Sequence, residues 1–320
     1  MGDIVPLLFG WLSQLPYSFV GTAKSDYYLR DEHGSYKTHQ QRPPGQQPTD
    51  YYPWERWLMQ RPSCQGIFPR DTLTTLELQA RQVRAVDAGN PMMDGFTLPT
   101  LDQVLAMAPS SLGSDSLGSG SLGSADLESG DPGLSVLLLP GSRVPEAYGN
   151  WQRILTTLPS VIERYPTVEF LAAAAPALAD AVLDEALITQ GWRAMADGGY
   201  QQGTARLKIA PAFMDFAQRA GAAIAMAGTA TEQFVGLGKP ALILPGTGPQ
   251  FTPAFAQAQT LLLGPSVTLV EHPTQTGTVL AAILQDPQRR QQIYENGRRR
   301  MGEPGAAARI AAQILAWLGR

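Results

Sequence analysis

Cysteine is nearly missing from this chain: Cys64 stands alone among 320 residues. One thiol cannot build a disulfide framework, so a hydrophobic core must hold the fold, and the chain suits a reducing compartment. Histidine is almost as scarce. His33, His39 and His272 lie far apart, without the spacing of metal ligands, and no metal site is expected. Charged residues make up 16% of the chain and the formal net charge is −4, which speaks against sequence-independent binding of nucleic acid. No GK[ST] follows a Gly-rich loop, which excludes a P-loop nucleotidase, and GxGxxG occurs only at 118–123, inside a Ser/Gly repeat and not after an apolar run of strand length, which argues against NAD. No GxSxG nucleophile elbow occurs. No bound cofactor is therefore expected. Long hydrophobic runs are lacking too. The most apolar stretch, residues 4–20, is broken by Pro6, Gln14 and Pro16 and has no basic residues before it. It falls short of the ~20 residues of a membrane span and reads as a strand end, a helix and a second strand.

What is present is an alternation of short apolar runs with Gly-rich turns. The stretch 222–250 shows it best. An apolar run of strand length, 222–227, ends at Gly228; Thr229 gives a helix N-cap signal. The helix that follows carries Phe234, Val235 and Leu237 inward and stops at Gly238. A second buried strand, 240–244, leads into Gly246-Thr247-Gly248-Pro249. Strand, turn, helix, strand, turn is half of a doubly wound α/β unit, in which ligands bind beyond the carboxyl ends of the strands.

The rest of the chain extends the pattern. Residues 1–108 read as part of a first α/β domain, with strands at 17–20, 66–69 and 85–88 and helices starting at Pro53 and Asp71. Residues 109–133 hold SLGSD, SLGSG and SLGSA in succession, a Ser/Gly-rich insert too polar to build a core. Residues 134–320 read as a second domain: strands at 136–139, 168–172, 207–209, 222–227, 240–244 and 267–270, one helix over 145–165, and three terminal helices. Strands alternating with helices imply a parallel sheet covered on both faces. Arg298-Arg299-Arg300 reads as a solvated helix face, with attraction to anionic lipid headgroups as the alternative.

Three loops on the strand-end rim are compatible with phosphate. Gly141, Ser142 and Arg143 follow the strand 136–139: a close backbone approach, a hydroxyl and a planar fork of donors. Gly228, Thr229, Ala230 and Thr231 open a helix whose first N–H groups attract anions. Gly246 and Gly248 form the third turn, with Gln250 beyond it. Together they suit a nucleoside diphosphate. Glu232 and Gln233, one turn into the helix, are within reach of ribose hydroxyls; Glu232 also complements the helix dipole as a first-turn carboxylate.

LLLPGSRVPEAY, AGTATEQFVGLGKP and AGNPMMDG together resemble lipid-A-disaccharide synthase, and more closely the synthase-related proteins of cyanobacteria. The resemblance covers nearly the whole chain apart from the insert. It implies a GT-B glycosyltransferase with two Rossmann-like domains facing a cleft, and metal-independent, inverting transfer from a UDP-sugar to a lipid or glycolipid acceptor. It also implies a cytoplasmic protein, peripheral at the inner face of the membrane. Carried over by position, Gly141, Ser142 and Arg143 match the family's GSR loop, with Glu146 as its following acid. The family's ribose-binding carboxylate falls on Gln233, with Glu232 one residue earlier. Asp3 sits where the family carries an acid near its acceptor cleft and is the candidate general base. The opening strand and Gly-rich loop of family members have no counterpart here, so the first domain is expected to be incomplete. Two alternatives are a UDP-N-acetylglucosamine 2-epimerase-like enzyme and a non-catalytic sugar-nucleotide-binding protein. The sequence shows no acid- and His-bearing active site of the kind the epimerase reading calls for.

Overall fold

A computed structural model of the chain describes residues 4–30, 35–36, 48–107, 133–248 and 251–318. Asp3, Gln250 and all of the Ser/Gly insert except Gly133 lie outside the described residues.

The first layer runs α1 (Ile4–Leu12), β1 (Tyr17–Gly21), α2 (Pro53–Met59), β2 (Cys64–Pro69) and α3 (Thr72–Gln79), and α4 (Leu101–Ala106) follows it in the chain. β1 and β2 pair in parallel. The strand expected at 85–88 reduces to a single parallel bridge between Ile67 and Ala85. α3 begins where the sequence suggests, because the Asp71 carboxylate accepts from the Thr74 N–H at 2.8 Å. Leu7, Phe19, Leu58, Met59, Ile67 and Leu78 form this layer's core.

The second layer comprises β3 (Ser135–Leu139), α5 (Glu146–Leu155), α6 (Leu158–Arg164), β4 (Glu169–Ala173), α7 (Asp180–Thr189), β5 (Arg193–Ala194), β6 (Tyr200–Gln202), β7 (Ala205–Ala210), α8 (Phe213–Arg219), β8 (Ala222–Ala225), α9 (Thr229–Gly236), β9 (Ala241–Ile243), α10 (Pro253–Leu263), β10 (Val267–Leu269), α11 (Thr276–Leu284), α12 (Pro287–Met301) and α13 (Ala306–Leu318). Its sheet has the order β10-β9-β8-β3-β4-β7-β6-β5. The strands from β10 to β7 are parallel, and β6 and β5 add antiparallel at the edge. The continuous apolar runs are explained by this placement: Leu137, Leu138, Ala223 and Ile224 lie in central strands and are buried on both faces.

The structure departs from the sequence reading at several places. The single helix over 145–165 is two. Thr157 turns its hydroxyl onto the Ile154 carbonyl at 2.7 Å, and Pro159 lacks the N–H a continuous helix would need. The helix after Gly228 is capped by Gly228 itself, without a side-chain hydrogen bond. Thr231, buried, donates its hydroxyl to the Ala227 carbonyl at 2.6 Å. The arginine run is not a uniform solvated face. Arg300 is 1% exposed; it donates to the Leu261 and Leu262 carbonyls at the end of α10 and to Asn296, and lies over the Tyr27 ring.

α13 leaves the second layer. Its Ile310 packs with Phe68 and Ala88, and Trp317 stacks beside Phe68 at 5.6 Å between ring centroids. Asp94 accepts from the N–H groups of Gly305, Ala306 and Ala307 and thereby caps this helix.

Candidate functional site

The carboxyl ends of β3 and β8 open onto a cleft of about 900 Å³ between the two layers. The second layer supplies Gly141, Ser142, Arg143 and Glu146 from the turn after β3, and Gly228, Thr229, Ala230, Glu232 and Gln233 from the turn after β8. The first layer supplies Thr22, Ala23, Tyr28 and Arg70, and the segment after it supplies Met92.

Gly141 is required by geometry. Its φ is +90°, and a Cβ there would stand 3.2 Å from the Met226 carbonyl oxygen. Asn150, buried below it, donates to the Pro140 carbonyl at 3.0 Å and holds the turn open. In α9 the first hydrogen bonds run from the Thr231 and Glu232 N–H groups to the Gly228 carbonyl. Those of Thr229 and Ala230 point ahead of the helix with no protein acceptor among the described residues, the arrangement that receives an anionic oxygen.

The third turn serves the site indirectly. Glu146 accepts from the Phe251 N–H at 2.6 Å, and a Cβ on Gly248 would stand 2.3 Å from the same carboxylate. Gly246 is buried against the Phe251 carbonyl. Thr231, Gly246 and Gly248 thus stand behind the cleft surface. Glu146 is engaged in shaping the turn that carries Phe251 and Phe255, an edge-to-face pair 5.3 Å apart on the cleft wall.

Glu232 and Gln233 both reach the cleft but are held by residues of the N-terminal third of the chain. Gln233 donates to the Met92 carbonyl at 2.7 Å, and Glu232 Oε2 lies 2.7 Å from Arg70 Nη2. Sequence reasoning missed Arg70, Tyr28, Asn150 and Gln259. Arg70 had a signal, since it ends the strand 66–69 just as Arg143 follows β3. Gln259 had none. Its amide donates to the Ala227 carbonyl at 2.9 Å from a helix more than thirty positions downstream. Among the described residues no histidine lines the cleft and no group of His, Cys, Asp or Glu could hold a metal ion.

Behind the first-layer wall lies a carboxylate network. Asp26 accepts from Thr49 Oγ1 at 2.8 Å and from the Asp50 N–H at 2.6 Å, and Asp71 accepts from Ser25 Oγ at 2.7 Å. Burial, opposed by those hydrogen bonds, pushes the Asp26 carboxyl up to about 6. The folded state therefore binds this proton more tightly than the unfolded state. Asp26's contribution is most favourable below about pH 4 and is lost as pH rises through about 6, a loss of about 3 kcal/mol at ~1.4 kcal/mol per unit. Urea unfolding at pH 4 and pH 7 should show this fall in wild type and a shallower one in Asp26→Asn. Equal slopes would mean that Asp26 titrates normally.

No protein-family model matches the chain, and no curated protein sequence does. Solved structures do. The Staphylococcus aureus MnaA structure with UDP is 13% identical, covering 98% of this chain and 72% of its own, with a TM-score of 0.53. UDP-GlcNAc 2-epimerase from Neisseria meningitidis bound to UDP-GlcNAc is 14% identical, covering 97% of this chain and 72% of its own, with a TM-score of 0.50. The chain has a GT-B-type fold. At this identity the likeness concerns the arrangement of two α/β layers about a cleft, which agrees with the architecture expected from sequence. No helix among the described residues is long and apolar enough to cross a membrane.

Proposed function

We propose that the cleft binds a UDP-sugar and that the chain acts on it as an enzyme of the UDP-N-acetylglucosamine 2-epimerase kind. The observation that carries the nucleotide-sugar reading is the pair of strand-end turns at Gly141–Arg143 and Gly228–Ala230, which turn backbone donors and an Arg fork to one cleft. The diphosphate lies between them. The ribose meets Glu232, and the aromatic pair Phe251 and Phe255 offers an apolar wall to the base. Structural likeness to a UDP-bound protein and to a UDP-GlcNAc 2-epimerase bound to UDP-GlcNAc supports this choice of chemistry.

A second reading, glycosyl transfer to a lipid or glycolipid acceptor at the membrane surface, is favoured by the motifs LLLPGSRVPEAY and AGTATEQFVGLGKP. It has a physical argument too: the described cleft wall bears only two carboxylates, Glu146 and Glu232, both engaged by protein partners. Asp3 would be its general base.

Incubation with UDP-GlcNAc separates the readings. Epimerisation yields the C2 epimer with no free UDP, whereas transfer releases UDP only when an acceptor is added. Binding without either product leaves a sugar-nucleotide-binding protein, and no binding removes the proposal. Within the site, Arg143→Ala should weaken UDP by about 1.5–3 kcal/mol in calorimetry, the range for a hydrogen bond to a charged group. Unchanged affinity in a folded variant would take Arg143 out of the site.

A further inference from the structure

Arg70 is 2% exposed, in a cleft wall built by the layer opposite the phosphate-compatible turns. A buried guanidinium needs acceptors for five N–H groups. Nη1 donates to the Thr22 carbonyl at 3.0 Å, and Nη2 lies 3.2 Å from Met301 Sδ and 2.7 Å from Glu232 Oε2. Nε has no acceptor. Glu232 is incomplete in the same way. Its Oε2 is taken up by the guanidinium at 2.7 Å, and among the described residues no group donates to its other oxygen. The hydroxyls of Thr22 and Tyr28, on the same wall, also have no protein partner among the described residues.

A tie between layers does not need this chemistry. Buried ion pairs are often no more stabilising than an apolar pair of the same volume, and atoms left unsatisfied within them add cost. Incomplete satisfaction on both partners, at a cleft, points to a ligand group that completes them. The pair is close to neutral as a unit, so a second anion gains little there. A hydroxyl fits, because it both donates and accepts.

We infer that Arg70 is a positioning residue that reaches from the first layer to orient the Glu232 carboxylate toward a ribose hydroxyl of a nucleotide held on the second layer. The inference rests on the nucleotide-sugar reading and adds to it that recognition of the ribose depends on both layers. Glu232, one residue before the position expected from the family resemblance, acts as the ribose acceptor because Arg70 holds it there; Gln233 has its amide committed to Met92.

The test is calorimetric titration of the full chain with UDP, 2′-deoxy-UDP and 3′-deoxy-UDP. Wild type should bind at least one deoxy analogue about tenfold more weakly than UDP, the loss of one charge-assisted hydrogen bond. Arg70→Met should lower UDP affinity to that of this analogue and leave the analogue's own affinity unchanged within about twofold. Glu232→Gln should do the same with Arg70 intact, which keeps the test available if Arg70→Met fails to fold, and the double variant should lose no more than either single one. Equal weakening of UDP and both analogues, or unchanged UDP affinity with a lowered melting temperature, would overturn the inference and leave Arg70 as an interlayer tie. A wild-type chain that does not bind UDP would overturn the nucleotide-sugar reading and this inference with it. A wild type that binds UDP and both analogues equally overturns only the inference.

Discussion

Trp317→Ala should cost about 2 kcal/mol of stability, less than the ~3–5 kcal/mol of a fully buried large aromatic because the ring is only partly buried. Trp317 comes from α13, at the far end of the chain, yet its ring lies over Gly66 in β2, where a Cβ would stand 2.1 Å from it. Phe68 flanks the ring, and Ile310 and Ile314 continue the same face of the helix against Val20 and Val86. No other aromatic of α13 replaces this contact. Thermal or urea unfolding of the variant measures the effect. A change below about 1 kcal/mol would mean that the helix end frays and Trp317 is not anchored.

The second layer was the most legible part of the sequence, and the reason is burial. Val136, Leu137, Leu138 and Leu139, and Ala222 to Ala225, are continuous apolar runs because parallel central strands are covered on both faces. Neighbouring Gly141 and Gly228 announced the turns. What was hidden depends on partners far along the chain. The β5–β6 hairpin pairs only Arg193 with Gln201 and Ala194 with Tyr200, too short and too exposed to leave a periodic pattern. Arg300 looked solvated because a run of arginines usually is; the Leu261 and Leu262 carbonyls that pay for its burial sit on another helix.

The candidate site divides the same way. Its backbone turns could be read locally. The contacts of Glu232 with Arg70 and of Gln233 with Met92 join segments 162 and 141 positions apart. Thr231 shows the opposite error: a residue type suited to a ligand, inside a suitable motif, whose hydroxyl is consumed by the backbone one turn earlier.

The exchange of segments between layers leads to the largest expected effect. Sequence reading sets the boundary of the second folding unit at residue 134, and packing argues for a different cut. Met93 is buried against Gly236, where a Cβ would stand 2.4 Å from its sulfur, and Phe96 meets Phe213 edge-to-face at 6.0 Å. Gln218 donates to the Thr97 carbonyl at 2.8 Å, Tyr294 to Pro99 at 3.2 Å and Arg290 to Leu105 at 2.8 Å. Residues 89–107 therefore cover the second layer, while α13 covers the first. A fragment of residues 134–320 would lose Met93 and Phe96 from its core and carry the unpartnered face of Ile310, Ile314 and Trp317. Exposed faces of that kind favour association. A fragment of residues 89–303 keeps the first set and omits the second. Both lack Tyr27 and Tyr28, so their difference reports on the two exchanged segments. The expected result is that 89–303 is monomeric and melts cooperatively, that 134–320 self-associates or melts without a sharp transition, and that 89–303 binds UDP more weakly than the full chain because Arg70 is absent. Sedimentation and calorimetry on the two fragments decide it. A 134–320 fragment as monomeric and as cooperative as 89–303 would place the boundary at the insert after all, and make the α13 contact an addition to a unit already complete.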